Sequence, residues 1–137
     1  MTVVVAAAFT WLGLVLGISF LEAPLKFRAP GITIPLGLGI GRLVFTALNR
    51  VEIVLGLVVT GALIVGPRTA AALWCAAAIA AVLVIQLAAV RPVLTRRTNA
   101  ILAGEETPHS RAHVTYVGLE ILKVVVLVTL GVLAVAP

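Results

Sequence analysis

Four runs of about twenty apolar residues, at 3–21, 45–65, 70–90 and 114–136, occupy most of this chain and leave little choice of fold. A helix rises about 1.5 Å per residue, so about 20 residues cross the roughly 30 Å hydrocarbon layer of a bilayer. Backbone N–H and C=O groups find no water there, and only helices or closed barrels satisfy them internally. Barrel strands need apolar-polar alternation over about ten residues, and the stretch AALWCAAAIAAVLVIQLAAV at 71–90 does not alternate. The expected fold class is all-α: a polytopic membrane protein with four transmembrane helices in a bundle, forming one domain over residues 1–137.

Composition agrees, because 62% of the residues are hydrophobic and only 11% are charged. So few charged side chains cannot cover the surface of a water-soluble domain of this size. The net charge of +5 does not imply nucleic acid, since its location explains it. Lys26, Arg28 and Arg42 lie between the first two runs, and Arg91, Arg96, Arg97 and Arg111 between the last two. The middle hairpin has only Arg68, beside Gly66-Pro67. Basic residues flanking spans stay on the cytoplasmic side. Both long connections are therefore expected inside a bacterial cytoplasmic membrane, with both termini outside and the basic residues facing anionic headgroups. No basic residue precedes the first run, so it reads as a retained helix and not as a signal peptide.

Ionisable residues inside spans are costly and mark candidate sites. Glu52 lies in the second run, and Glu120 and Lys123 lie in the fourth. At about 100° per residue, His109, His113, Tyr116, Glu120 and Lys123 form one stripe. That face continues as Leu127, Leu130 and Ala134, so its polar part covers only the inner half. Arg42, Asn49, Glu52, Gly56 and Thr60 share a face of the second helix, while Arg50 points away and is expected to snorkel. The two polar faces are expected to meet, with Glu52, Asn49, Glu120 and Lys123 satisfying one another. Burying three separate charges costs far more than burying a bonded cluster. Two carboxyls competing for one ammonium leave a group able to exchange a proton, as a proton-coupled carrier requires. The plainer alternative pairs Glu120 with Lys123 at i, i+3 and lets Lys123 snorkel inward.

The segment 22–49, EAPLKFRAPGITIPLGLGIGRLVFTALN, is unusual. Pro24, Pro30 and Pro35 interrupt helix, and one straight helix over 32–65 would run about 50 Å, longer than the bilayer is thick. Residues 32–43 are therefore expected to lie along the inner interface or to re-enter the membrane. Gly37, Gly39 and Gly41 suit close packing or backbone approach to a ligand. Arg42, Lys26 and Arg28 are candidate partners for an anion or lipid headgroup. A faint parallel repeat is also visible, in which each returning helix carries an early glutamate, Glu52 or Glu120.

Other chemistry is sparse. Cys75 is single, which excludes an internal disulfide and a C-x-x-C dithiol. The chain contains no Asp, and Ser19 and Ser110 lack a base. His109 and His113 cannot supply opposite axial ligands to one haem, and neither a metal nor another cofactor is expected. Trp11, Trp74 and Tyr116 are candidate interfacial anchors, although Trp11 lies deep enough for the core. Gly13, Gly17, Gly56 and Gly61 favour close helix approach or a subunit interface.

Trp11-Leu12-Gly13, then Ala23-Pro24-Leu25-Lys26-Phe27, then Gly41-Arg42-Leu43-Val44-Phe45, form a spaced set over the first third of the chain. This set resembles small four-helix bacterial membrane proteins of unknown function, themselves distantly similar to copper-resistance D-type membrane proteins. The resemblance implies the four-helix plan with a structured Pro-rich first inner loop. The copper-type proteins imply metal handling through histidines, and the first two runs here have none.

The expected function is transport or permeation of a small solute or ion through an oligomeric helical bundle, using the inner-half polar site Glu52, Asn49, Glu120, Lys123, Tyr116 and His113. Besides the lipid bilayer and the solute, the expected partner is a second copy or a larger membrane protein. The alternatives are a non-catalytic accessory subunit of a membrane complex, and a lipid- or quinone-binding membrane enzyme using Tyr116, His113 and Glu120.

Overall fold

The computed structural model describes residues 1–105 and 111–136 and shows four long helical runs. They are α1 (Thr2–Arg28), α2 (Ile34–Val65), α3 (Ala70–Leu102) and α4 (Arg111–Val135), each long and apolar enough to cross a membrane. Among the described residues there is no strand.

Packing closes a ring in which α1 lies against α2 and α4, and α3 lies against the same two helices. Val4, Ala8, Trp11 and Val15 of α1 pack with Val59 and Leu63 of α2, Ile79 and Leu83 of α3, and Leu127 and Leu130 of α4. This apolar core fills the half of the molecule nearer the termini. Large apolar side chains cover the outside, among them Leu43, Leu57, Trp74, Val114 and Val132. Such a surface in water would far exceed the few hundred Å² that a monomeric soluble protein tolerates.

Two elements depart from the sequence expectation. Residues 34–43 are not a separate interfacial or re-entrant segment; they are the first turns of α2, which is continuous to Val65. The Thr33 hydroxyl accepts from the Leu36 N–H and caps the helix, with Pro35 in its first turn, where a missing N–H breaks no intrahelical bond. At 32 residues α2 is about 48 Å long, and its excess length extends past the bilayer thickness beside α3. That helix likewise runs beyond Val90 to Leu102, so Arg91, Arg96 and Arg97 sit on helix and not in a loop. An Arg42 to Asn99 side-chain hydrogen bond of 2.5 Å ties the two extensions together.

Proline also explains two widened turns. Leu16–Glu22 in α1 and Gln86–Val90 in α3 are π-helical, with the Ala23 N–H bonded to Ile18 O and the Arg91 N–H to Gln86 O, five residues back. Each ends two residues before a proline, Pro24 or Pro92, whose ring clashes with the carbonyl four residues earlier and offers it no N–H. Widening the preceding turn keeps the helix continuous past the proline.

Gly37 and Gly41 clear one face of α2. The Phe27 ring occupies the space a Gly37 side chain would fill, and the Lys26 Nζ lies 2.8 Å from where a Gly41 Cβ would stand. The last turn of α1 thereby packs closely against the start of α2.

Candidate functional site

The charged residues of α2 and α4 meet in the interior. Lys123 Nζ donates to Glu52 Oε2 at 2.6 Å and to Glu120 Oε1 at 2.6 Å, and the three residues are at most 1% exposed. Three further donors come from α1 and α3. Trp11 Nε1 reaches Glu52 Oε2 at 2.7 Å, Gln86 Nε2 reaches Glu120 Oε1 at 2.7 Å, and Ser19 Oγ reaches Glu120 Oε2 at 2.6 Å. All four helices thus contribute to one polar network beneath the apolar core.

The two carboxylates are not equally satisfied. Glu120 accepts on both oxygens, whereas Glu52 accepts two bonds on Oε2 and its buried Oε1 has no hydrogen-bond partner among the described residues. The same is true of Asn49 Oδ1, Gln86 Oε1 and Tyr116 Oη. Asn49 is buried one turn before Glu52, so the structure places it beside the network but does not bond it to Lys123, contrary to the expected four-member cluster. Lys123 does not snorkel, because its ammonium has two buried carboxylates to serve.

Below the network, toward the basic connections, is a cavity of about 350 Å³ whose lining includes Ser19 and Glu120. Phe20, Phe27, Phe45 and Leu38 supply apolar wall, and Lys26, Arg42 and Arg97 supply cations. Tyr116 is buried and meets Phe45 edge to face, with centroids 5.8 Å apart. His113 lines the cavity from an exposed position on α4. Arg28 is exposed in the last turn of α1 and does not line it. His109 and Ser110 lie outside the described residues.

Glu52, Glu120, Lys123 and the continuing face Leu127, Leu130 and Ala134 were legible from helical spacing, and all are buried. Trp11, Ser19 and Gln86 were missed as site residues. Gln86 had a signal, as the one amide in an otherwise apolar run. Ser19 and Trp11 had none, because their role depends on which helices become neighbours.

No family model, curated protein or solved structure matches the chain.

Proposed function

We propose that the chain is a membrane carrier for a small solute or ion, a four-helix bundle in which the cavity takes the solute from the cytoplasmic side and the Glu52–Lys123–Glu120 network responds to it. One observation carries this reading: Glu120 belongs to both the cavity lining and the buried network. A charged solute placed beside Glu120 changes the field on Lys123 and, through its ammonium, on Glu52. In a low-dielectric interior such charges act strongly over short distances. Two carboxylates and one ammonium carry one excess negative charge, and a single proton neutralises it. Glu52 Oε1, buried with no hydrogen-bond partner among the described residues, is the oxygen that we assign to that proton.

The apolar core above the network supports a cycle with rearrangement, since no polar residue continues the stripe past Lys123 on α4. The placement of the cavity on the inner side rests on the basic residues around its mouth.

Proton movement in pyranine-loaded proteoliposomes, triggered by adding small organic anions or cations outside, tests the reading. Wild type should show solute-dependent flux, and Glu52→Gln and Glu120→Gln should each reduce it at least tenfold while remaining monodisperse. Unchanged flux in both variants would remove the carrier function.

A further inference from the structure

We infer that a membrane phospholipid seats one acyl chain in a groove between α2 and α3, in contact with Trp11. The site stands apart from the inner cavity, and the inference does not depend on the carrier reading.

The groove, of about 360 Å³, lies midway along the spans. Val59, Ile79 and Leu83 form its buried floor, together with the Trp11 indole. Its rim is exposed, with Ile53 and Leu57 on α2 and Ala80 and Val84 on α3. Small residues give it depth. Gly56 and Ala76 leave the walls without bulk, and a Cβ on Gly56 would stand 3.5 Å from the indole ring.

The contact of α1 with α4 shows what would close such a groove. Gly56, Thr60 and Ala80 have Val124, Val128 and Leu12 at the positions 68 residues away, in helices that pack in the corresponding way. Leu12 and Val124 lie against the apolar core. Phe9 adds a ring over Gly131, 2.7 Å from where its Cβ would stand, whereas α3 has Ala77 at the place equivalent to Phe9. One helix pair is therefore packed by the protein's own side chains, while its counterpart keeps a groove open toward lipid.

Chemistry selects the occupant. No side chain lining the groove is ionisable, so nothing there balances a charged ligand. Of the lining side chains only Thr60 and Trp11 carry a polar group, and the Trp11 N–H is already given to Glu52 Oε2 at 2.7 Å. A buried water needs about two to four polar partners and finds too few. An empty groove forfeits dispersion contacts along its walls, and an alkyl chain supplies them. Phospholipid is the solvent at the exposed rim, so a second copy of this protein would first have to displace it. The volume is at the small end of ligand-pocket size and suits a chain segment, not a whole lipid. A chain seated there bears on the indole that holds Glu52, which brings the bilayer within one side chain of the charged network.

Trp11 fluorescence reads the contact directly. Trp11 and Trp74 are the two tryptophans, and Trp74 is 76% exposed, so Trp74→Phe leaves Trp11 as the reporter. In vesicles of acyl-brominated phosphatidylcholine, Trp11 should lose about half the emission it shows in unbrominated vesicles, because bromine quenches at close range. Ala80→Leu gives α3 the residue that α1 carries at the equivalent position, and Thr60→Leu fills the groove from α2. Each should reduce the quenching about threefold, since a packed wall leaves the chain no room. Ala78→Leu, exposed on α3 and outside the groove, should leave it unchanged. An unquenched Trp11 in the reporter protein would overturn the inference, and that outcome needs no groove variant to fold. Equal quenching in both filled variants, each monodisperse, would overturn it too. So would quenching that emerges only when the protein is diluted into excess lipid, which identifies a second copy as the occupant. Solute flux is no part of this readout, so failure of the carrier reading leaves the lipid site standing, and failure of the lipid site leaves the carrier reading standing.

Discussion

Lys123 is ion-paired with two buried carboxylates at once, so its removal is governed by ions and not by packing. Breaking a buried ion pair from one side leaves uncompensated charge and costs about 3–5 kcal/mol. Lys123→Met, of similar length and apolar, should lose that much in reversible unfolding in mixed micelles. Adding Glu52→Gln to Lys123→Met removes one stranded charge and should recover part of the loss. Additive losses in the double variant would show that the two groups do not interact. Trp11→Phe removes one of the two donors to Glu52 Oε2 and should cost about 1–3 kcal/mol. Trp11 also shows the limit of one-dimensional reading, since an indole deep in a span is equally suited to lipid, core or hydrogen bond. Only the approach of α1 to α2 makes it a carboxylate ligand.

Each helix delivers its polar group through a particular local geometry. Ser19 sits within the π turn of α1, and Gln86 opens that of α3. The widened turns that accommodate Pro24 and Pro92 thus also set the rotational phase of two donors to Glu120. Pro24 was visible in the sequence, but its effect was read as interruption, and Pro92 was not weighed at all. A proline ends a helix only when nothing offsets its lost bond, and a π turn with packed neighbours does offset it. At the α1–α2 contact, a Cβ on Gly56 would stand 3.5 Å from the Trp11 ring, an ordinary contact. Gly56→Ala should therefore be close to neutral. Gly56→Leu should push the indole away from Glu52 and cost about 1–3 kcal/mol, measurable by the same unfolding assay. A Trp11 emission shift unique to the Leu variant would locate the damage. Equal stability of all three proteins would show that the indole has room to move.

Across the whole molecule, one offset relates the two halves. The helix starts Thr2 and Ala70, the π-turn ends Glu22 and Val90, Pro24 and Pro92, and Glu52 and Glu120 are each separated by 68 positions. The packing follows the same relation, with α1–α2 corresponding to α3–α4, and α1–α4 to α3–α2. Parallel repeats of this kind place equivalent residues around an axis along the membrane normal. Glu52 and Glu120 are such equivalents, and they meet through Lys123, whose counterpart 68 positions earlier is Leu55. The ammonium therefore distinguishes two otherwise corresponding carboxylates. The proposed orientation is tested on a Cys75→Ala background. An impermeant maleimide added to intact cells should label Thr2→Cys and leave Glu105→Cys unlabelled. The opposite pattern would place the basic connections outside.

The four apolar runs by themselves determined that the chain is helical and suited to a membrane, because a backbone without water must close its hydrogen bonds within each segment. Helical periodicity also determined which faces of α2 and α4 carry the charges, since the phase of residues on one helix is a local property. The tertiary structure decided what those charges touch. Glu120 gained Ser19 and Gln86 from residues 101 and 34 positions away, and Glu52 gained Trp11 from 41 positions away. It also decided that Lys123 stays inside. An isolated helix in lipid would favour an ammonium that reaches for the interface, and two buried carboxylates at 2.6 Å give it a better partner than water.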